Sequence, residues 1–151
     1  MILQINTFQL MQIIGAKITN VVACILKKKK KILISSRPDE KEFPGFFEFP
    51  GGKVKKTEFF LTALKRELLE ELSIKIDLNK VVFLKNYCIK RGDKKIFINF
   101  FLCDQWHGNI KSMEGQVFKW TTIDKLESEN MLISNKKIID YLNYNLNFSK
   151  N

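Results

Sequence analysis

At 151 residues, 45% hydrophobic and 28% charged with 13 Phe, the chain is long enough to bury an ordinary core and too apolar to be a disordered segment. Its three cysteines, Cys24, Cys88 and Cys103, form no CxxC pair, which argues against a cysteine zinc site or dithiol redox motif and reads as reduced, buried residues of a cytoplasmic protein. The net charge of +10 leaves three readings open: a nucleic-acid or membrane surface, a field that draws in small polyanions, or a lysine-rich solvated exterior.

Met1 to Ile14 is apolar but interrupted by Gln4, Asn6, Gln9 and Gln12, and it matches neither a signal peptide nor a spanning helix. Residues 1–10 read as a loosely attached extension or an over-long start, because a first strand is already under way from Met11. Ile13 to Leu26, the lysines 27–31 and Ile32 to Ile34 read as a hairpin, with the lysine run as a solvated turn that discourages edge pairing. Arg37 to Gly52 holds all three prolines and several phenylalanines, and is expected to be a long structured loop.

A helix follows, with Thr57 as its N-cap, Glu58 in its first turn, and Leu61, Leu64, Leu68 and Leu72 in one apolar stripe. Val81–Ile89 and Lys95–Leu102 read as a hairpin across Arg91, Gly92 and Asp93. Gln105–Glu114 reads as a polar loop, Val117–Thr121 as a short strand and Lys136–Leu146 as a closing helix.

On the first helix Glu67, Glu70 and Glu71 stand at i, i+3 and i+4, so their carboxylates share a face roughly 110° from the leucine stripe. Clustered acids on a helix are commonly a solvated surface, but they become favourable when they share a hard divalent cation that also holds phosphate oxygens. The spacing decides between these. Gly52, five residues, Glu58, seven residues, Arg66-Glu67-Leu68, one residue, Glu70-Glu71, one residue and Ser73-Ile74 resembles the Nudix box at every defining position but one. Six fixed residue types would match by chance in roughly one window in ten million. The departure is Ser73, where the family has glycine to make a left-handed helix exit; serine there costs about 1 kcal/mol and carries no catalytic group.

Phe47-Glu48-Phe49-Pro50-Gly51-Gly52-Lys53 and Glu114-Gly115-Gln116 followed by Trp120 are similar to further segments of MutT-type Nudix enzymes. The resemblance covers about residues 12–146. It implies an α/β (α+β) fold, an α/β/α sandwich with a mixed sheet between helices, as one domain over residues 1–151. It also implies hydrolysis of a nucleoside triphosphate at the β-phosphorus to monophosphate and pyrophosphate, with 8-oxo-dGTP the expected substrate. Mg²⁺, with Mn²⁺ as a substitute, would be held by Glu67, Glu70, Glu71, Glu114 and the Gly51 carbonyl. One of Glu67, Glu71 and Glu114 would be the general base, Glu67 being favoured. Arg66 would orient neighbouring carboxylates, and Glu58 would support the helix start.

The resemblance also implies substrate contacts: Asn135 and Arg37 fall where MutT-type enzymes place an asparagine and an arginine near the base, Phe49 would pack under it, and Gly52 and Lys53 would lie by the phosphates. An asparagine offers a donor and an acceptor together, which suits the O6 and N7–H edge of 8-oxoguanine, although Asn135 could equally be a helix cap. The expected partner is a small nucleotide bound by a monomer, with no stable nucleic-acid complex and no membrane. Hydrolysis of another nucleotide, a dinucleoside polyphosphate or a capped RNA remains an alternative, as does a catalytically silent nucleic-acid-binding Nudix module.

Overall fold

The computed structural model describes residue 15 and residues 17–146; the expected N-terminal extension and the strand start at Met11 lie outside them. Strands β1 (Lys17–Lys28) and β2 (Lys31–Ser36) form the expected hairpin with Lys29 and Lys30 at its tip. The sheet runs β3-β2-β1-β7-β6, where β3 is Phe47–Glu48, β6 is Val82–Arg91 and β7 is Lys94–Cys103. β4 (Gly51–Lys53) pairs with β1, and β9 (Phe118–Thr122) pairs with β2. β1 and β7 are parallel and the remaining pairs are antiparallel, so the sheet is mixed, as expected.

Alternation along β1 explains its unbroken apolar run. Val22, Cys24 and Leu26 join one core cluster while Ala23 and Ile25 join another, so both faces of the strand are covered. Helix α1 (Phe60–Leu72) covers the first face with Ala63, Leu64, Leu68 and Leu72, and helix α2 (Lys136–Asn145) covers the second with Ile138, Ile139 and Leu142. The result is the expected α/β/α sandwich. Leu61 is only partly buried, at the margin of the stripe. Asn99 is buried between the layers, and its Nδ2 donates to the Val21 carbonyl at 3.1 Å, tying β7 to β1.

Four expectations are corrected. Helix α1 begins two residues later than Thr57 predicts: Phe59 is the N-cap residue and makes no side-chain cap bond. Glu58 instead closes the preceding turn, its amide donating to the Lys55 carbonyl and its carboxylate accepting from the Lys55 amide. The polar loop after Gln105 contains a short strand β8 (Trp106–His107), which pairs with β5 (Lys75–Ile76) to form a second, two-stranded sheet. Cys88 is exposed, although Cys24 and Cys103 are buried as expected. Asn135 stands at the N-cap of α2 in a helical conformation and makes no side-chain cap bond. Among the described residues no helix is long and apolar enough to cross a membrane.

Ser73 adopts the left-handed conformation, φ 59° and ψ 30°, that the helix exit requires, with the amides of Ser73 and Ile74 donating to the Leu69 and Leu68 carbonyls at 3.0 and 3.5 Å. The turn is therefore built without glycine, and a Cβ is held where L-residues are strained. Ser73→Gly is expected to stabilise the fold by about 1 kcal/mol, or roughly 2–4 °C in Tm, read by thermal melting; an unchanged or lower Tm would show that the serine is unstrained.

Candidate active site

The segment between β3 and α1 is welded to the sheet. Residues 51–53 pair with Val21–Ala23, and the Cys24 amide donates to the Pro50 carbonyl at 2.8 Å. Its two glycines are required for different reasons. A Cβ on Gly51 would stand 1.9 Å from the Val22 carbonyl oxygen, and one on Gly52 would stand 2.4 to 2.5 Å from the carboxylate of Glu67. The first lets two backbones meet; the second makes room for an acid.

Helix α1 places Glu67 and Glu71 one turn apart against this segment. Glu71 is 8% exposed, and its Oε2 accepts the Gly51 amide at 3.3 Å. Its carboxyl is pushed up to about 8, first by burial and then by the charges of Glu67 and Glu114, against the pull of the Lys41 ammonium and the Gly51 amide. Glu67 and Glu114, the acids expected to act with Glu71, are thus both close enough to repel it. Glu70 is different: its side chain is 54% exposed, and its contact is with Arg66 at 3.3 Å.

Arg66 is the clamp of this cluster. Its Nε and Nη2 donate to the two oxygens of Glu58 at 2.7 and 2.8 Å, its Nη1 donates to Glu67 at 2.8 Å, and its Nη2 reaches the Lys53 carbonyl at 3.0 Å. The forked guanidinium holds Glu58 down at about 2 and is itself driven further above its ordinary range. Glu58 therefore fixes Arg66, and Arg66 fixes the rotamer of Glu67.

Glu114 is brought in by a loop that sequence reasoning located without finding what holds it. Gln116 is 6% exposed; its Oε1 accepts from the Glu114 amide and the Ser112 hydroxyl at 2.9 Å each, and its Nε2 donates to the Glu71 carbonyl at 3.3 Å. Lys41, whose charge acts on Glu71, was also missed. One lysine in a loop of a lysine-rich chain carries no pattern, whereas Gln116 stands in the Glu114-Gly115-Gln116 segment and only its supporting role was unread.

The expected base-side residues are more dispersed. Phe49 is buried edge-to-face on Phe100, ring centroids 6.2 Å apart, as part of the α2-side core. Asn135 is 5% exposed and its side chain makes no hydrogen bond among the described residues. Arg37 is committed to its own loop, donating to the Glu42 carbonyl and to Glu48 at 2.8 Å, and Lys53 is exposed.

Carboxylate oxygens are the donors that hard divalent cations take, and crowding that raises a proton affinity also favours a cation in the proton's place. Glu67, Glu71 and Glu114 fit such a group chemically. As the side chains stand, no three acidic, thiol or imidazole groups among the described residues close on one point.

The sequence matches the NUDIX domain family over residues 17–142. The chain belongs to that family. Nudix hydrolases generally use divalent cations such as Mg²⁺, which agrees with the donor set. This Nudix chain is 43% identical to the 8-oxo-dGTP diphosphatase of Buchnera aphidicola subsp. Schizaphis graminum, with 82% of this chain and 92% of that protein covered. It is 32% identical to the CTP pyrophosphohydrolase of Escherichia coli, with 69% and 76% covered. A solved MutT structure, from work on the Aliivibrio salmonicida and Vibrio cholerae proteins, matches with a TM-score of 0.72 at 29% identity, covering 83% of this chain and 97% of that one.

Proposed function

We propose that this Nudix protein is a cytoplasmic, monomeric nucleoside triphosphate pyrophosphohydrolase with 8-oxo-dGTP as its preferred substrate. The observation that carries the hydrolase reading is the placing of Glu67 and Glu71 against the Gly51-Gly52 backbone, where the charges of Glu67 and Glu114 both bear on Glu71. The relative named 8-oxo-dGTP diphosphatase supports the substrate.

In this reading Glu67, Glu71 and Glu114 with the Gly51 carbonyl would hold Mg²⁺, or Mn²⁺ in its place, with the more exposed Glu70 at the edge. When bound it neutralises phosphate charge and lowers the pKa of water. Glu67, oriented by Arg66, accepts the proton of the attacking water. The water oxygen joins the β-phosphorus as its bond to the α-bridging oxygen breaks, and that oxygen leaves with the nucleoside monophosphate while pyrophosphate carries the new oxygen. Lys53 and Lys41 lie on the site's exposed side and attract the triphosphate.

Base choice rests on Asn135. Its side chain makes no cap hydrogen bond, and a ligand edge that offers one acceptor and one donor would match its amide. Asn135→Ala is expected to cut the kcat/KM preference for 8-oxo-dGTP over dGTP by about tenfold to a hundredfold while hydrolysis persists. An unchanged preference would remove Asn135 from base recognition.

The test of the function is pyrophosphate release with Mg²⁺ across 8-oxo-dGTP, dGTP, CTP and other triphosphates. A large preference for the oxidised purine supports the proposal. A preference for CTP would assign the activity of the other relative instead, and no release from any nucleotide would overturn the enzymatic reading.

A further inference from the structure

The β1–β2 turn carries Lys28, Lys29, Lys30 and Lys31 in succession. Lys28 and Lys31 are partners on the last rung of the hairpin, and Lys29 at its tip has φ 56°. None of the four enters an ion pair among the described residues, so four like charges crowd one tight turn without a direct carboxylate contact.

Beside them lies a cleft of about 670 Å³ lined by the same four lysines, Trp120 and Thr122. Trp120 stacks on Trp106 at 6.3 Å between ring centroids and 18° between planes. Among the described residues the buried Thr122 hydroxyl has no hydrogen-bond partner. A second cleft, about 400 Å³, flanks Trp106 and shares Lys28, but Asp77 and Asp104 give it mixed charge. The first cleft therefore combines a rim whose charged residues are all lysines with an aromatic wall.

We propose that this turn and tryptophan pair form a second binding surface, separate from the carboxylate cluster, for single-stranded nucleic acid. The lysines take successive phosphates, and Trp120 takes the face of an unstacked base. Polyanion and aromatic ring are the two chemistries that the cleft offers at once, and a single strand presents both. A duplex keeps its bases stacked away from Trp120. A lipid surface fits poorly, because Trp120 is half-buried under its partner and does not project as an interfacial anchor does. The surface also lies away from the acids: Lys28 is five residues along β1 from Ala23, the partner of Gly51, which is roughly 16 Å at ~3.3 Å per residue.

The chain has two tryptophans, and both belong to this stack, so intrinsic emission reports on the site directly. Full-length protein is titrated at low ionic strength with an oligothymidylate and an oligouridylate of about twelve nucleotides. Saturable quenching is expected with at least one of them, which also tells DNA from RNA. The slope of log K against log salt should be about −2.8 for four phosphate contacts, and about −1.4 in the double variant Lys29→Glu, Lys30→Glu, whose affinity should fall by roughly tenfold or more. Both substituted positions are exposed, so folding and pyrophosphate release should be unchanged, and binding is read whether or not the protein hydrolyses nucleotides. Four results would overturn the proposal: no emission change with either strand, equal binding by the double variant, equal binding of thymidine monophosphate, or lysine-dependent binding to phosphatidylserine vesicles with none to the strands.

Discussion

Replacing Glu71 by glutamine is expected to lower kcat for pyrophosphate release by about three orders of magnitude, the scale on which losing a charge-stabilising group acts at a phosphoryl or acyl centre. The substitution keeps shape and volume, so the Gly51 amide still finds an acceptor while the charge that meets Glu67 and Glu114 disappears. Loss of activity should come without loss of fold. Near-normal turnover would remove Glu71 from the proposed metal site.

The same residue sets a pH signature in the absence of divalent cation. Its folded-state carboxyl sits at about 8 against an ordinary value of 4.5. Between those values the native state holds a proton that the unfolded chain has released, so stability falls as pH rises through that window. The cation-free wild type should melt higher at pH 5 than at pH 8.5 to the extent that this group governs, and Glu71→Gln should flatten that part of the profile. Added Mg²⁺ should flatten it too, by favouring the ionised form. A wild-type profile rising between pH 5 and 8.5 and unaltered in the variant would contradict the buried, repelled state of Glu71.

The second large effect separates two adjacent glycines. Gly51→Ala drives a methyl into the Val22 carbonyl oxygen, Ala23 Cα and Val22 carbonyl carbon, at 1.9, 2.8 and 2.8 Å, atoms of the central strand that cannot step aside. A destabilisation of about 4 kcal/mol or more is expected, in the range reserved for strain at a special backbone position, and soluble yield and Tm would show it. Gly52→Ala meets only the far end of Glu67, a side chain that can rotate. That variant should fold with a Tm near wild type and lose activity by about a hundredfold, because Glu67 leaves its Arg66 bond and its place beside the phosphates. If the two variants behaved alike, the division between a structural and a functional glycine would be wrong.

The elements that could be read from the chain are those whose signal is periodic or local. The leucine stripe, the alternating β1 run and the box spacing each depend on residues within a turn or two of one another, and each led to the right element. The start of α1 was misplaced because Thr57 is a good cap in isolation, whereas tertiary contacts commit Glu58 to Lys55 and Arg66. The β5–β8 pair was missed because two-residue strands have no period to detect. Cys88 was misjudged because the environment of an outward position on edge strand β6 depends on whether another layer covers it. At the site, the acids followed from spacing, but Gln116 and Lys41 act across the fold, and their partners are distant in sequence.

One peptide unit has a double duty. The end of helix α1 leaves carbonyls with no intrahelical partner, and here they are taken by the loop that carries Glu114: Lys111 donates to Leu72 at 3.0 Å, and Met113 and Gln116 both donate to Glu71, at 3.1 and 3.3 Å. Glu71 thus offers its carboxylate to the site and its carbonyl to the neighbouring acid's support. The position of Glu114 is thereby set from Glu71 on one side and, through Val117 and its two 2.8 Å bonds to Ser36, from strand β2 on the other, so a shift of the helix end relative to the hairpin would move the two acids apart.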